Sequence, residues 1–334
     1  RHRQSPRSFQ AVRGRETIRE STTAVDPPGA EQGVGQGDQS RPAHPLLTVS
    51  IKAPANSCYI IPAIDISVDY RYYLISAGLA MNPFAPSRFV EQFHLLFLAQ
   101  LGRRLDKKLY VLKGGCNLRF FHRSMRYSED LDLDVRDVDP HVLRDKVRSL
   151  FSSRPFAETL EARGLEVEHV TEHKQTGTTQ RWKLGLRIER GAMPLPTKIE
   201  FSRRGMDSGV VFESVDPGLI RAYLLPPLMV NHYGAHAAFR QKLGALARRT
   251  ETQARDIFDL HHLIAMGALT DALQTIDPRD AEQARANAMT IDFGTFKSQV
   301  LAYLAPEDQA HYDSASVWDT LVLEVVAALE QGRP

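Results

Sequence analysis

Acidic and aliphatic residues alternate strictly from Asp130 to Val135. A β-strand places alternate side chains on opposite faces, so Asp130, Asp132 and Asp134 would share one face, about 6.6 Å apart per step. Three like charges on one strand face repel one another unless a cation neutralises them. Hard divalent cations such as Mg²⁺ or Mn²⁺ prefer carboxylate oxygens, often together with phosphate oxygens. The strand therefore predicts a metal site; the alternative is a solvated acidic edge strand.

A third carboxylate fits the same chemistry. Two metal ions in a carboxylate site can activate an attacking oxygen and stabilise a leaving pyrophosphate. Such a site usually needs an acid from a neighbouring strand. Glu200 is a lone acid in an apolar-flanked segment that is predicted to be a strand, Pro196–Arg203. We therefore expect Asp130, Asp132 and Glu200 to be the metal ligands.

Two glycines and a serine precede the acidic strand. Gly114-Gly115 stands between a short predicted strand, Leu109–Leu112, and an apparent helix. Small residues at this point let backbone N–H groups approach a phosphate closely, and a helix N-terminus favours an anion. Ser128 could add a hydroxyl contact. The sequence thus predicts phosphate binding beside the carboxylates.

A second group of charged residues lies downstream. Lys242, Arg249 and Arg255 can meet a triphosphate, the lysine as a point charge and the arginines as planar forks. Asp256 and Asp259 are three residues apart and would share a helix face. The alternative is a salt-bridge network at helical spacing that stabilises the C-terminal region.

Both groups match a known family. Gly-Gly followed by Ser-x-Asp-x-Asp on a strand resembles the nucleotidyltransferase core of DNA polymerase β-like enzymes. The longer string from Leu112-Lys113-Gly114-Gly115 to Arg126-Tyr127-Ser128-Glu129-Asp130-Leu131-Asp132 is similar to the AbiEii/AbiGii toxins of bacterial toxin–antitoxin and phage-defence systems. Lys242, Ala245 and Arg249, followed by Arg255-Asp256 and Asp259-Leu260, resemble the second signature of that family. The family usually has Thr where this chain has Cys116.

The resemblance implies roles for these residues. Asp130 and Asp132 would be metal ligands, Glu200 the third carboxylate and Asp134 peripheral, while Asp256 would be essential to the site. Nucleotide binding would fall to Lys113, Gly114, Gly115, Ser128, Lys242, Arg249 and Arg255. The implied reaction moves a nucleoside monophosphate from a nucleoside triphosphate to an acceptor hydroxyl, at a tRNA 3′ end. A cognate antitoxin from a neighbouring gene would be the protein partner.

Two other functions remain open. The same metal chemistry could modify a Ser, Thr or Tyr hydroxyl of a protein. A non-catalytic interaction protein on a degenerate fold of this kind is the other alternative, although all three predicted carboxylates are present.

The order of predicted helices and strands around these residues indicates an α+β fold. Helical periodicity from Ser87 to Leu105 comes before the strands, and Leu165–Gln175 with Thr178–Glu189 predicts a hairpin. From Asp216 onward the chain is helix-rich. We predict a mixed nucleotidyltransferase-type sheet flanked by helices and followed by a helical C-terminal domain. The predicted domains are a disordered tail at 1–57, a catalytic domain at 58–215 and a helical domain at 216–334.

Composition limits the remaining possibilities. The chain of 334 residues has 42 Lys and Arg against 40 Asp and Glu, so bulk charge alone cannot hold a nucleic acid. Its two cysteines, Cys58 and Cys116, exclude a disulfide scaffold and fit a cytoplasmic protein. No apolar run reaches the length of about 18 residues that a membrane span needs.

Weaker signals include His232 and His236, whose spacing could bind Zn²⁺ but which lack the adjacent Glu of a metalloprotease motif. A thiol nucleophile formed by Cys116 with His122 is a minor possibility. Arg203-Arg204 could line an entry groove for a nucleic acid.

Overall fold

A seven-stranded mixed sheet forms the centre of the molecule, with the strands in the order β3-β4-β5-β2-β1-β7-β6. The structure is a computed structural model that describes residues 86–188, 191, 193–272 and 275–331. The predicted disordered tail, Cys58 and residues 58–85 of the predicted catalytic domain lie outside the described residues.

Two pairs of neighbouring strands are parallel. Strand β2 pairs in parallel with β5, and β1 pairs in parallel with β7, whereas the other neighbours are antiparallel. The strands are β1 Tyr110–Lys113, β2 Asp130–Val135, β3 Leu165–Gln175, β4 Thr179–Ile188, β5 Leu195–Ser202, β6 Val210–Ser214 and β7 Met229–Tyr233.

Helices flank this sheet and make up most of the C-terminal part, so the fold is α+β as predicted. They are α1 Pro86–Arg104, α2 Gly114–Phe121, α3 Pro140–Phe151, α4 Arg154–Glu161, α5 Pro217–Ala222, α6 Ala235–Arg248, α7 Ala254–Ala265, α8 Leu269–Ala272, α9 Pro278–Ala288, α10 Phe293–Gln299, α11 Pro306–Tyr312 and α12 Ala315–Gln331. None of the helices in the described part of the chain combines the length and apolar character needed to cross a membrane.

The two faces of β2 follow the sequence alternation. Leu131 and Leu133 are fully buried in a core that also contains Phe93 of α1 and Val147 of α3. The Asp side chains therefore project from the opposite face, because successive strand residues alternate. A second core, centred on Leu243 of α6, joins the C-terminal helices.

The structure differs from the predicted elements in two places. Strands β6 and β7 were not predicted, and β7 joins the sheet beside β1 although it lies after Asp216. The sequence predicts one helix at His141–Arg154, but α3 ends at Phe151 and a separate helix α4 begins at Arg154. The described residues all fall within one compact unit, and its division at residue 215 stays a prediction.

Candidate active site

Four charged residues form one row across four strands. Lys113 of β1 lies opposite Asp132 of β2, Asp132 lies opposite Glu200 of β5, and Glu200 lies opposite Arg181 of β4. The parallel register of β2 and β5 thus brings together two of the three predicted carboxylates from distant parts of the sequence. Each end of the row is cationic and its centre is anionic.

The carboxylates on this face are unequally neutralised. Lys198 pairs with Asp130 at 2.8 Å, Arg181 pairs with Glu200 at 2.6 Å, and Lys113 pairs with Asp134 at 2.5 Å. Burial, and next the charge of Asp130, raise the pKa of the Asp132 carboxyl above its ordinary value. The site therefore has an excess of negative charge at Asp132.

The donor set fits a hard divalent cation. All three predicted ligands are carboxylates, and Gly114 leaves space beside Asp132: its φ is +69°, and a Cβ there would come within 2.9 Å of Asp132 Oδ2. No three acidic, histidine or cysteine side chains of the described residues are grouped closely enough to hold an ion as they stand. Lys198 and Arg181 hold two of the carboxylates, so a metal ion would have to displace these cations.

The loop between α2 and β2 packs closely on Gly115. A Cβ at Gly115 would lie 2.6 Å from Ser128 Oγ and 3.1 Å from Arg126 Nη2, so only glycine fits there without a shift. Ser128 Oγ and Cys116 Sγ both donate to the backbone oxygen of Asp130, at 3.0 and 3.2 Å. These contacts fix Ser128 between the start of α2 and the carboxylate strand.

A cleft of about 600 Å³ opens between the charged face of the sheet and helix α6. Its sheet wall includes Lys113, Gly114, Asp132 and Glu200. Arg204, just after β5, also lines it. The lining cations of α6 and its C-terminal end are Arg240, Lys242, Arg248 and Arg249, and the lining acids away from the sheet strands are Asp207, Asp277 and Asp280. The cleft therefore combines carboxylates of the sheet with a cluster of cations on α6, of which Arg248 is paired with Asp280.

Lys242 belongs to a buried ion network. Its Nζ lies 3.0 Å from Asp256 Oδ1 and 2.6 Å from Asp259 Oδ2, and both aspartates are fully buried. Asp259 also forms an ion pair with the buried Arg126 guanidinium, whose Nη2 lies 2.8 Å from Oδ2. Burial alone would raise the pKa of Asp259, but Arg126 and Lys242 lower it to about 2. A network of this kind is the alternative that the sequence leaves open for Arg249, Asp256 and Asp259.

The network reaches the cleft at its outer end. Arg249 Nε lies 3.4 Å from Asp256 Oδ2, and its side chain is 39% exposed. Arg255 is not among the residues that line the cleft. Burial and a hydrogen bond to Glu129 raise the pKa of Tyr303, and the charge of Arg255 opposes this by lowering it. The structure thus brings Lys242 and Arg249 to the cleft wall and leaves Arg255 beside it.

Three cations that organise the site have no predicted role. Arg181 and Lys198 hold carboxylates from adjacent strands, and Arg126 links the Ser128 loop to α7. Arg126 stands in the string that resembles the AbiEii/AbiGii family, but that string does not show that its partner is Asp259. The positions of Arg181 and Lys198 become informative only once the strand register is known.

The weaker sequence signals lie elsewhere. His232 stacks on Phe121 with ring centroids 3.7 Å apart, and it is not part of a metal-binding group within the described residues. The Cys116 thiol lies 3.4 Å from His94 rather than pairing with His122, and burial raises its pKa well above the usual value. Arg204 lines the cleft, whereas Arg203 donates to the backbone oxygen of Val138.

Comparisons with known proteins identify the family of the chain. A family model described as the nucleotidyl transferase AbiEii toxin of type IV toxin–antitoxin systems matches residues 96–315. No curated protein sequence matches the chain.

A solved structure shares the fold, and another resembles the chain more distantly. MenT4, a nucleotidyltransferase toxin from Mycobacterium tuberculosis, is 19% identical with a TM-score of 0.52, and the match covers 78% of this chain and 89% of that chain. JHP933 from Helicobacter pylori is also 19% identical, with a TM-score of 0.42 and coverage of 71% of this chain and 94% of that chain.

Proposed function

Because the chain belongs to the AbiEii family of nucleotidyltransferase toxins, we propose that its acceptor is an RNA, the 3′-terminal hydroxyl of a tRNA. The enzyme is a nucleotidyltransferase of the toxin–antitoxin type. In the proposed reaction the acceptor oxygen bonds to the α-phosphorus of a nucleoside triphosphate and loses its proton. The bond from that phosphorus to the β-phosphate oxygen breaks, and pyrophosphate leaves.

One observation carries the proposal: three members of the charged row, Lys113, Asp132 and Glu200, line a cleft that cations of α6 and its C-terminal end line from the other side. A triphosphate needs cations along its length, and its reacting phosphorus needs carboxylate chemistry at one end. The cleft offers both within one space of about 600 Å³. A binding protein for a neutral ligand would have no use for this separation of charge.

The start of α2 would hold phosphate oxygens. The helix begins at Gly114 directly after β1, and no side chain caps its first N–H groups. Free N–H groups at a helix N-terminus bind anions, and Gly114 and Gly115 allow a phosphate to approach the backbone. Lys113 and the Ser128 hydroxyl would add contacts from either side.

Asp130, Asp132 and Glu200 would hold Mg²⁺ or Mn²⁺. When bound, such an ion supplies Lewis-acid stabilisation of charge on the transferring phosphoryl group. Lys198 and Arg181, which now neutralise two of these carboxylates, would then be free to contact nucleic acid or nucleotide oxygens.

Lys242 and Arg249 would bind the distal phosphates from the other wall. Asp256 and Asp259 would orient the Lys242 ammonium, because each aspartate accepts from it. Arg255, which lies outside the cleft lining, would contribute through the field of its charge. We further propose that an antitoxin is the protein partner and, from the free thiol of Cys116, that the enzyme works in the reducing cytoplasm.

The experiment uses the purified chain, Mg²⁺ and each of the four nucleoside triphosphates labelled at the α-phosphate, with total RNA and cellular protein present. We expect label in small RNA and none in protein. The double variant Asp130→Asn with Asp132→Asn should abolish it. Asp145→Asn, an exposed acid on α3, is the matched control and should transfer normally. Label in protein would instead establish a protein acceptor, and transfer by the double variant would disprove the metal site.

A further inference from the structure

The polar face of the sheet continues past the carboxylates as a strip of cations. We call Lys198 of β5, Arg181 and Lys183 of β4, and Lys174 of β3 the basic strip. Lys198 and Arg181 lie next to the predicted metal ligands, and the strip runs from there toward the edge strand β3. Lys183 is exposed and Lys174 is half-buried.

The strip places like charges directly opposite one another. Lys183 faces Lys198 in the register of β4 and β5, and Lys174 faces Arg181 in the register of β3 and β4. Directly opposed like charges destabilise a sheet. Lys198 and Arg181 have acidic partners, but Lys183 and Lys174 have none among the residues that the structure describes. Such an arrangement is best explained by an external polyanion.

Two further acidic residues, Glu166 and Glu168, lie beyond the basic strip on β3. Glu168 pairs with Arg187 at 2.9 Å, and Glu166 lies opposite Arg187 in the ladder. These acids are therefore occupied by Arg187 and do not neutralise Lys183 or Lys174. The positive surface begins at the carboxylates and ends at this pair.

An imidazole lies on the same face. His169 of β3 lies opposite Gly185 of β4, and a Cβ at Gly185 would come within 2.2 Å of His169 Cε1. Glycine is thus required for this ring to rest against the strand, and the residue remains exposed. Histidine rings are among the platforms on which unstacked RNA bases are bound.

We propose that the basic strip binds the single-stranded 3′ segment of the acceptor RNA, with phosphates on Lys183 and Lys174 and a base on His169. The 3′ hydroxyl would then lie at Asp132 and Glu200, where the strip meets the carboxylate row. This inference rests on the proposed RNA acceptor and adds the surface that recognises it. Cations interleaved with a stacking platform are the usual chemistry of single-strand binding, which is tolerant of sequence.

The test measures binding of fluorescein-labelled unfractionated tRNA by anisotropy over a range of KCl concentrations. The variant is Lys174→Gln with Lys183→Gln, and its control is Lys146→Gln with Arg154→Gln, on helices that pack on the other face of the sheet. We expect the strip variant to bind about tenfold more weakly and its salt slope to fall by about 1.4, the loss of two single-strand phosphate contacts. His169→Ala should weaken binding about fivefold and leave the salt slope unchanged.

Activity assays separate this inference from the proposed function. We expect the strip variant to raise the KM for tRNA and leave the KM for the nucleoside triphosphate unchanged. If the wild type labels tRNA while the strip variant binds and labels it normally, the strip is not the acceptor surface and the proposed function stands. If the wild type neither binds nor labels tRNA and labels protein, both fail together.

Discussion

Lys242 lies with its Nζ 2.6 Å from Asp259 Oδ2, and Asp259 is fully buried. The contact makes Lys242 a structural residue as well as a candidate phosphate ligand. Removing one partner of a buried ion network leaves an uncompensated charge, which is more costly than losing an exposed pair.

We predict that Lys242→Met lowers the free energy of unfolding by about 3–5 kcal/mol. Arg248→Met, on the same helix, removes an exposed ion pair with Asp280 and should cost about 0–1 kcal/mol. Urea denaturation of the two variants gives the comparison. A Lys242→Met protein as stable as the wild type, with only its nucleotide affinity reduced, would show that the network contributes little to folding.

Asp132→Asn should separate stability from activity. Burial and the charge of Asp130 raise the pKa of Asp132, so the charged carboxylate destabilises the folded state. A neutral amide at this position removes that destabilisation. We predict a Tm equal to or above that of the wild type and transfer slower by about 10²-fold or more. Calorimetry with a labelled-nucleotide assay measures both. A large fall in Tm would mean that Asp132 is held by stabilising contacts instead.

Gly114→Ala tests the space beside Asp132. Left-handed backbone costs a residue with a Cβ about 1–2 kcal/mol, and here the Cβ would also lie 2.9 Å from Asp132 Oδ2. Gly164→Ala is the matched control, because its φ is +71° and nothing lies within 4 Å of its Cβ position. We expect Gly114→Ala to lose at least as much stability as Gly164→Ala in denaturation curves, and only Gly114→Ala to lose nucleotidyl transfer. Equal activity would count against phosphate binding at Gly114.

His94 should make stability depend on pH. Burial lowers its pKa to about 3, while its Nε2 lies 2.8 Å from Thr197 Oγ1. The pKa of a histidine in the unfolded chain is about 6.5, so below this pH the unfolded chain binds a proton that the folded chain does not bind. The free energy of unfolding therefore falls as the pH falls from 6.5 toward 3.

We predict that His94→Gln reduces this slope by about 1.1 kcal/mol per pH unit on average between pH 6.5 and 5, because the unfolded imidazole goes from half to almost fully protonated over this range. His122 and His232, whose pKa values are also lowered by burial, contribute in the same direction, so some slope remains. Urea denaturation at each pH provides the measurement. An unchanged slope in the variant would place the proton uptake at other groups.

Much of the site could be predicted because its pattern is local. Alternation alone identifies β2 and the face that carries Asp130 and Asp132, and the two glycines after β1 mark the junction between that strand and α2. Glu200 was predicted from its apolar flanks, and the register of β5 with β2 puts it directly opposite Asp132.

What could not be predicted depends on pairing between distant segments. The partners of the carboxylates, Lys198 and Arg181, are set by strand register, which no short window of sequence contains. Strand β7 is only five residues long and begins shortly after two prolines, so it has no clear period. The sequence shows the cations of α6 but not that Lys242 would be enclosed by two aspartates of α7.

The Arg126–Asp259 ion pair has a consequence for synthesis of the chain. Its partners are 133 residues apart, and both are buried. At a translation rate of about 5–20 residues per second, the Ser128 loop leaves the ribosome roughly 7–27 seconds before the aspartate that anchors it. The carboxylate strand therefore exists in the nascent chain well before the basic wall of the cleft can close over it. A chain built in this order cannot complete its cleft until the aspartates of α7 have been synthesised.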